Sequence, residues 1–201
     1  GIYYKPSQVI VCPTLAADAR FGQSVSQSAD GQWLYVGSPG EAVVYIYKFH
    51  AMEFKTCQFD LTYNNVYAGF ELPSDYTNDI RALAVYVNER LLIAGTDYTL
   101  DLGRVFLLDP VKSSAIDTGM ITINQRGYYN YEQSINNGLI HSEFGASVKS
   151  NSVGDYVVVG SPLANTDGVR QAGKVYVYYN NGTQTHLVEI LTAANPTYRA
   201  R

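Results

Sequence analysis

The 201-residue sequence contains few residues of the kinds that build disulfide frameworks and metal centres, with two cysteines and three histidines. Cys12 and Cys57 are too few for a disulfide framework, and we expect them on separate strands without a bridge. The histidines are scattered, and none has a Cys, Asp or Glu partner at metal-ligand spacing. The sequence therefore predicts no metal site and no cofactor.

Positive charge and long apolar runs are also scarce. The chain has 14 Lys and Arg against 18 Asp and Glu, a net charge of −4. This balance, without any basic cluster, argues against a nucleic-acid-binding surface. No apolar run is long enough to span a membrane. With 46% hydrophobic residues, the composition is still that of a chain with a packed core.

A motif that occurs twice organises the rest of the sequence. FGQSVSQSADGQWLYVGSP begins at residue 21 and FGASVKSNSVGDYVVVGSP at residue 144. In a weaker copy between them, Ile93-Ala94-Gly95-Thr96 takes the place of Val-Gly-Ser-Pro. The signature positions are Phe21, Gly22, Gly37, Pro39, Gly95, Phe144, Gly145, Gly160 and Pro162. A period of about 60 residues predicts an array of similar units that cover one another.

Alternation of apolar and polar residues predicts an all-β chain of four-stranded antiparallel units. The expected strands are near residues 23–27, 33–36, 43–49 and 54–60, then 83–87, 91–94, 104–108 and 120–124, then 146–150, 156–159, 174–179 and 187–191. Residues 61–79 and 126–143 are expected to be long connections. Residues 1–20 resemble the end of a further unit, with strands at residues 1–4 and 9–12. The predicted domain is one array: a half unit at 1–20 and full units at 21–61, 81–125 and 144–192.

These motifs resemble the FG-GAP repeat, the unit of the integrin α-subunit β-propeller and of related bacterial and phage proteins. The resemblance rests on Phe21-Gly22 with Val36-Gly37-Ser38-Pro39, and on Phe144-Gly145 with Val159-Gly160-Ser161-Pro162. It implies a β-propeller segment of about three four-stranded blades plus the half blade at the N-terminus. In such a fold the glycine lets backbones approach near the propeller axis, and the aromatic residue wedges between blades.

Many members of this family hold calcium in the first hairpin of each unit, through a run of the Asp-x-Asp-x-Asp-Gly kind. The corresponding hairpins here, residues 28–32, 87–90 and 151–155, carry about one carboxylate each, which is too few oxygens for that site. The segment from Asn165 to Gly168 lies in a different loop and is better explained by turn formation. We therefore expect no calcium in these hairpins.

The middle unit has a competing interpretation. Its segments VYVN, from Val85, and LIAGTDYT, from Leu92, resemble a β-module that recurs in phage tail and fibre proteins. Residues 81–125 are then either a blade or an inserted β-module. Gly95 and residues 103–106 keep the phase of the repeat, which favours the blade. Both interpretations point to the virion branch of the family.

No nucleophile elbow or phosphate-binding loop is present, so we expect no enzyme activity. The first hypothesis is a structural or binding module of a phage tail or fibre, extracellular in the virion. Its partners would be other virion proteins, further blades of the same parent chain, or a host-surface glycan or protein. One alternative is an integrin-like adhesion propeller at a cell surface. Another is a glycan-active enzyme, for which Asp97 and Asp101 are the acids to consider.

In the family geometry, the connections between units and the loops between second and third strands share one face. The partner surface expected on this face comprises Tyr63, Tyr67, Phe70, Tyr76, Tyr128, Tyr129, Tyr131, Asn165, Asp167 and Arg170. Tyr and Arg are frequent anchors of buried contacts. The alternative is that these rings only stabilise the loops in which they lie. We also expect the chain to be an open arc of a longer propeller or, failing that, to close as a dimer.

Overall fold

The computed structural model describes residues 8–14 and 16–196. Two short helices, α1 (Tyr63–Ala68) and α2 (Val111–Ala115), and a 3₁₀ turn at Ile80–Ala82 accompany the strands. The strands are β1 (Ser24–Gln27), β2 (Trp33–Ser38), β3 (Val43–His50), β4 (Lys55–Asp60), β5 (Phe70–Glu71), β6 (Leu83–Val87), β7 (Arg90–Leu91), β8 (Tyr98–Asp101), β9 (Arg104–Leu107), β10 (Met120–Gln125), β11 (Tyr128–Asn136), β12 (Ser147–Ser150), β13 (Tyr156–Ser161), β14 (Lys174–Asn180) and β15 (Thr185–Leu191). The described residues form four antiparallel sheets, so the all-β prediction is confirmed.

The chain divides into two compact units. The repeat unit holds residues 11–14, 16–49 and 129–196, and so contains both full copies of the motif. The middle unit holds residues 50–128 together with the described residues 8–10. The middle unit therefore interrupts the repeat unit in sequence, between the two copies of the motif.

The first copy of the motif forms a sheet with the strand order β1-β2-β3-β11. In its register Gly37 lies opposite Ser24 on one side and Val44 on the other. The first three strands confirm the prediction, but the predicted fourth strand is wrong. Residues 55–60 form β4, which pairs with β10 in the middle unit. The edge position is taken by β11, in a segment predicted as a connection, because local alternation identifies a strand and not its partner.

The second copy forms the sheet β12-β13-β14-β15 from strands that are consecutive in sequence. All four strands confirm the prediction. The register repeats that of the first sheet, since Gly160 lies opposite Ser147 and Val175. One irregularity, between Val177 and Tyr178, interrupts the pairing of β14 with β15.

The middle unit contains two sheets, β4-β10-β6-β7 and β5-β9-β8. The single blade predicted over residues 81–125 does not form, because β9 pairs with β5 and β8. Two-residue turns with positive φ, Asn88-Glu89 and Leu102-Gly103, close the hairpins β6–β7 and β8–β9 locally. Three equivalent blades are therefore not observed in the part of the chain that the structure describes.

Two apolar cores correspond to the two units. In the middle unit, the fully buried side chains include those of Phe70, Val85, Tyr98, Val105 and Ile121. In the repeat unit, the core draws on both sheets: Tyr35, Val44 and Ile46 come from the first, and Phe144, Val157, Val159 and Tyr176 from the second copy of the motif. The two repeat sheets thus pack face to face.

The predicted half unit at the start of the chain is only partly described. Its third strand, at residues 1–4, lies outside the described residues. Residues 9–12, the predicted fourth strand, form no strand. A strand requires a hydrogen-bonded neighbour, and the described residues supply none there. Cys12 and Cys57 are both free thiols.

Candidate functional site

The motif glycines lie at a close approach between the two repeat sheets. A Cβ built on Gly37 would overlap the carbonyl oxygen of Gly145. A Cβ on Gly145, whose φ is +90°, would lie 2.8 Å from the Val43 carbonyl oxygen and 3.3 Å from Val44 Cγ2. The Ser24 hydroxyl donates a hydrogen bond of 2.7 Å to the same Gly145 carbonyl. Glycine at both positions permits this backbone contact, because any side chain would separate the strands.

The serine of Val-Gly-Ser-Pro has a structural role that the sequence did not indicate. The buried Ser38 hydroxyl donates to the Ala19 carbonyl oxygen at 2.8 Å. In the second copy Ser161 donates to the Ser142 carbonyl oxygen at 2.9 Å. Each serine therefore ties the turn before its own Phe-Gly to the end of its second strand. Of the two prolines that follow, Pro39 is buried and Pro162 is half-buried.

Residues of opposite charge precede the two Phe-Gly pairs. Arg20 and Glu143 both adopt a φ of 54°, which is uncommon for residues other than glycine. The Arg20 guanidinium donates to Glu143 Oε1 at 3.2 Å. Equivalent positions of the two copies therefore form an ion pair with each other.

A buried polar cluster also joins the two repeat sheets. The Tyr35 hydroxyl donates to the Gly154 carbonyl oxygen and accepts from Asn180 Nδ2 at 3.0 Å. The hydroxyls of Ser26 and Ser150, both buried, lie 3.0 Å apart. Burial raises the pKa of Tyr35, and the Asn180 hydrogen bond opposes this shift only in part.

Gly95, the signature residue of the weak copy, has a different environment from Gly37. It lies in an exposed turn with a φ of +78°, and no described atom is within 4 Å of a Cβ built on it. The prediction that Gly95 occupies an equivalent position is therefore wrong. Positive φ and not a sheet contact accounts for glycine here.

The predicted partner surface is distributed over both units, and the structure places its residues in several environments. Tyr63 and Tyr67 lie on α1 in the middle unit and are 59% and 49% exposed. Their ring centroids are 4.6 Å apart, and Lys112 Nζ lies 4.2 Å from the centre of the Tyr67 ring. These three residues, the α1 aromatic cluster, form a cationic and aromatic surface patch.

Three other predicted contact residues are engaged within the middle unit. Phe70 is fully buried in its core, and the half-buried Tyr76 packs against that core. Tyr128 is buried, stacks on His50 and donates to Asp79 Oδ2 at 2.8 Å. For Phe70 and Tyr128, the interpretation that the rings stabilise their own unit is the better one.

Asp79 is the acid of the middle unit whose pKa is lowered most strongly. Its carboxylate accepts hydrogen bonds from the Arg81 guanidinium and from the Arg81 backbone N–H, as well as from Tyr128. The Arg81 side chain is the largest cause, and together these donors lower the pKa of Asp79 to about 2. The carboxylate therefore stabilises the turn at residues 80–82.

Tyr129 and Tyr131 lie on β11 in the repeat unit, and not in a loop. Tyr129 is half-buried and donates to the Gly31 carbonyl oxygen at 2.6 Å. Tyr131 is 44% exposed and leans on Tyr45 and Tyr47, with ring centroids 6.1 and 6.0 Å away. Neither ring is fully buried, so part of each remains on the surface.

The loop between β13 and β14 carries the last three predicted contact residues, and Asn165, Asp167 and Arg170 are all exposed. Asp167 and Gly168 both have positive φ, and Thr166 and Val169 exchange two backbone hydrogen bonds. This is a two-residue hairpin turn, so the prediction of turn formation is confirmed. Asn165 accepts from the Gln171 N–H at 3.0 Å.

Other acidic and amide side chains serve turns in the same way. Asp30 accepts from Ser28 and the Gln32 N–H, and these bonds lower its pKa. Asn151 accepts from two backbone N–H groups of its hairpin. Asp97 is buried and accepts from the Ile93 N–H at 2.9 Å, whereas Asp101 is exposed. Within residues 8–14 and 16–196, no three His, Cys, Asp or Glu side chains converge as metal ligands would.

Comparison with known proteins leaves the chain without a family assignment. No protein-family model matches the sequence. No curated protein matches it with significance. In the described part of the chain, neither helix is long and apolar enough to cross a membrane.

Proposed function

We propose that this chain is a non-enzymatic structural and binding module of the FG-GAP propeller type, carried by a tail or fibre protein of a phage virion. Its two repeat sheets are two neighbouring blades. The middle unit is an inserted β-module of the kind found in phage tail and fibre proteins. Its partners are other virion proteins or a host-surface glycan or protein.

The observation that carries the propeller assignment is the contact between Gly37 and Gly145. The Phe-Gly of the second copy lies against the Val-Gly-Ser-Pro strand of the first. The contact is between the backbones of Gly145 and Gly37. This is the backbone approach that the resemblance implies for neighbouring blades. The contact supports a structural role for the motif, which is to stack the sheets, and not a catalytic role.

The α1 aromatic cluster supports a binding role for the middle unit. Tyr63 and Tyr67 together present two exposed rings beside the ammonium group of Lys112. Tyrosines contribute large contact areas at low entropic cost and keep a polar hydroxyl for hydrogen bonding. Such a patch suits either a glycan or a protein surface.

Locating the chain in intact particles tests the proposal. Gold-labelled antibodies raised against the folded chain should decorate the tail or fibre of particles produced from the genome that encodes this sequence. Pre-incubation of the antibodies with the purified chain is the control and should remove the label. Labelling confined to the surface of uninfected cells would contradict the virion assignment and favour a cell-surface adhesion propeller.

A further inference from the structure

Among the described residues, the second repeat sheet has an open face, with a concavity of about 540 Å³ beside its Val-Gly-Ser-Pro strand. The lining residues include Ser147, Gly160, Lys174, Val175 and Leu191. Ser147 and Gly160 are the register equivalents of Ser24 and Gly37. The concavity therefore lies where, on the first sheet, the Phe-Gly of the neighbouring copy is seated.

The open face carries apolar residues at the same register positions as the buried face. Tyr35 of the first sheet is 0% exposed, whereas its equivalent, Val158, is 40% exposed. Val44, opposite Gly37, is also fully buried, and its equivalent Val175, opposite Gly160, is half-buried. The equivalent apolar surface is therefore buried on the first sheet and accessible on the second.

A matching element is present at the other edge of the repeat unit. Gly22 and Gly145 adopt nearly the same φ, +84° and +90°, and the Phe21 ring packs on Tyr45 at 5.6 Å as Phe144 packs on Tyr176 at 5.2 Å. Phe144 is fully buried and Phe21 only half-buried. No described atom lies within 4 Å of a Cβ built on Gly22.

The charges favour joining these two edges. Within one chain, Arg20 of the first copy pairs with Glu143 of the second. If the Phe21-Gly22 turn of another molecule occupied the open concavity, its Arg20 would lie beside Glu143 in the same way. Within the described residues, Glu143 accepts from Arg20 through one carboxylate oxygen, so the other oxygen can accept from a second guanidinium. Opposite charges at equivalent positions make a head-to-tail contact electrostatically favourable.

We propose that the concavity at Gly160 and Val175 receives the Phe21-Gly22 turn of a second copy of this chain. The contact repeats the one between Gly37 and Gly145 and is heterologous, so it generates a ring or an open chain of copies. The inference rests on the proposed function, because it names a partner surface for the same stacking motif. The Ser147 hydroxyl would donate to the Gly22 carbonyl oxygen, as Ser24 does to Gly145.

Sedimentation velocity of the purified chain over a wide concentration range tests this proposal. We expect reversible, concentration-dependent association. Gly160→Ala adds a methyl group at the seat of the Gly22 carbonyl, and Val175→Arg adds a charge to the apolar face. Each should raise the dissociation constant by at least about tenfold, whereas Val153→Arg, at an exposed position in a hairpin of the same sheet, should leave it unchanged.

A charge exchange gives an independent result. Arg20→Glu alone should weaken association, and the double variant Arg20→Glu/Glu143→Arg should restore it, since both pairs then have reversed polarity. Circular dichroism of each variant checks that the fold is retained. A chain that stays monomeric at every concentration, or association that Gly160→Ala, Val175→Arg and Val153→Arg affect equally, overturns the proposal. Monomeric chains that are still found in virions would refute the self-docking and leave the proposed function standing.

Discussion

The Tyr35 hydroxyl accepts a hydrogen bond of 3.0 Å from the Asn180 side chain, and both residues are buried between the two repeat sheets. Tyr35 lies on β2 and Asn180 at the end of β14, so the contact links strands from the two copies of the motif. The same hydroxyl donates to the Gly154 carbonyl oxygen. Because buried polar groups require partners, this pair helps to specify how the sheets align.

We expect Tyr35→Phe to lower the free energy of unfolding by about 1–3 kcal/mol, because it leaves the Asn180 amide and the Gly154 carbonyl without their partner. Urea unfolding followed by circular dichroism measures the change. Tyr156→Phe, which removes a hydroxyl from a 44% exposed ring in the same unit, is the control and should have little effect. An equal decrease in the free energy of unfolding in both variants would contradict a special role for the buried hydroxyl.

The two motif glycines should differ in their tolerance of a side chain. A Cβ at Gly37 meets the Gly145 backbone, which cannot move without separating the sheets, so Gly37→Ala should destabilise the chain by about 1–3 kcal/mol. At Gly160 the close neighbour is the flexible end of the Ser147 side chain, and Gly160→Ala should cost less than about 1 kcal/mol in the monomer. Thermal unfolding at low protein concentration compares the two variants. If Gly160→Ala lost more stability than Gly37→Ala, the first sheet would not be the more closely packed of the two at this position.

Asp79 predicts a pH dependence of stability. Its pKa is lowered to about 2 in the folded chain, against about 3.9 in the unfolded chain, so it binds protons less readily when folded. Its contribution, on the order of 2 kcal/mol, is fully present above about pH 4 and is lost as the pH falls toward 2. Urea unfolding between pH 2 and pH 7 should show this loss in the wild type and a flatter profile in Asp79→Asn. Tyr156→Phe, which changes no carboxylate, is the control and should keep the shape of the wild-type profile.

The α1 aromatic cluster should contribute to binding and not to stability. Tyr63→Ser/Tyr67→Ser removes two exposed rings, so we expect the unfolding midpoint to change little and binding of the labelled chain to host cells to fall by about tenfold or more. The control is Phe54→Ser, which removes a 67% exposed ring elsewhere in the middle unit. Flow cytometry measures binding. Equal loss of binding in the control and in the double variant would contradict a specific role for Tyr63 and Tyr67.

The second repeat sheet was predictable because its strands and turns depend only on residues that are close in sequence. Its strands are consecutive, and the positive φ of Gly145 and Gly154 falls where the sequence places turns. The first sheet was predictable only up to β3. Its edge position could be filled by β4, whose burial alternates, or by β11, whose burial does not, and pairing over the 77 intervening residues from 51 to 127 left no local signal.

The sequence alone determined the all-β class, the two full repeats and the turn chemistry at Asp167-Gly168, since each depends on short-range backbone preferences and alternation. Tertiary structure decided that residues 50–128 form a unit with its own core, that Phe70 and Tyr128 are interior and that Tyr63 and Tyr67 are exposed. It also decided that Gly37 contacts Gly145 while Gly160 borders an open concavity. The two copies of the motif differ here because burial depends on which neighbouring sheet is present, and that is a property of packing and not of the motif itself.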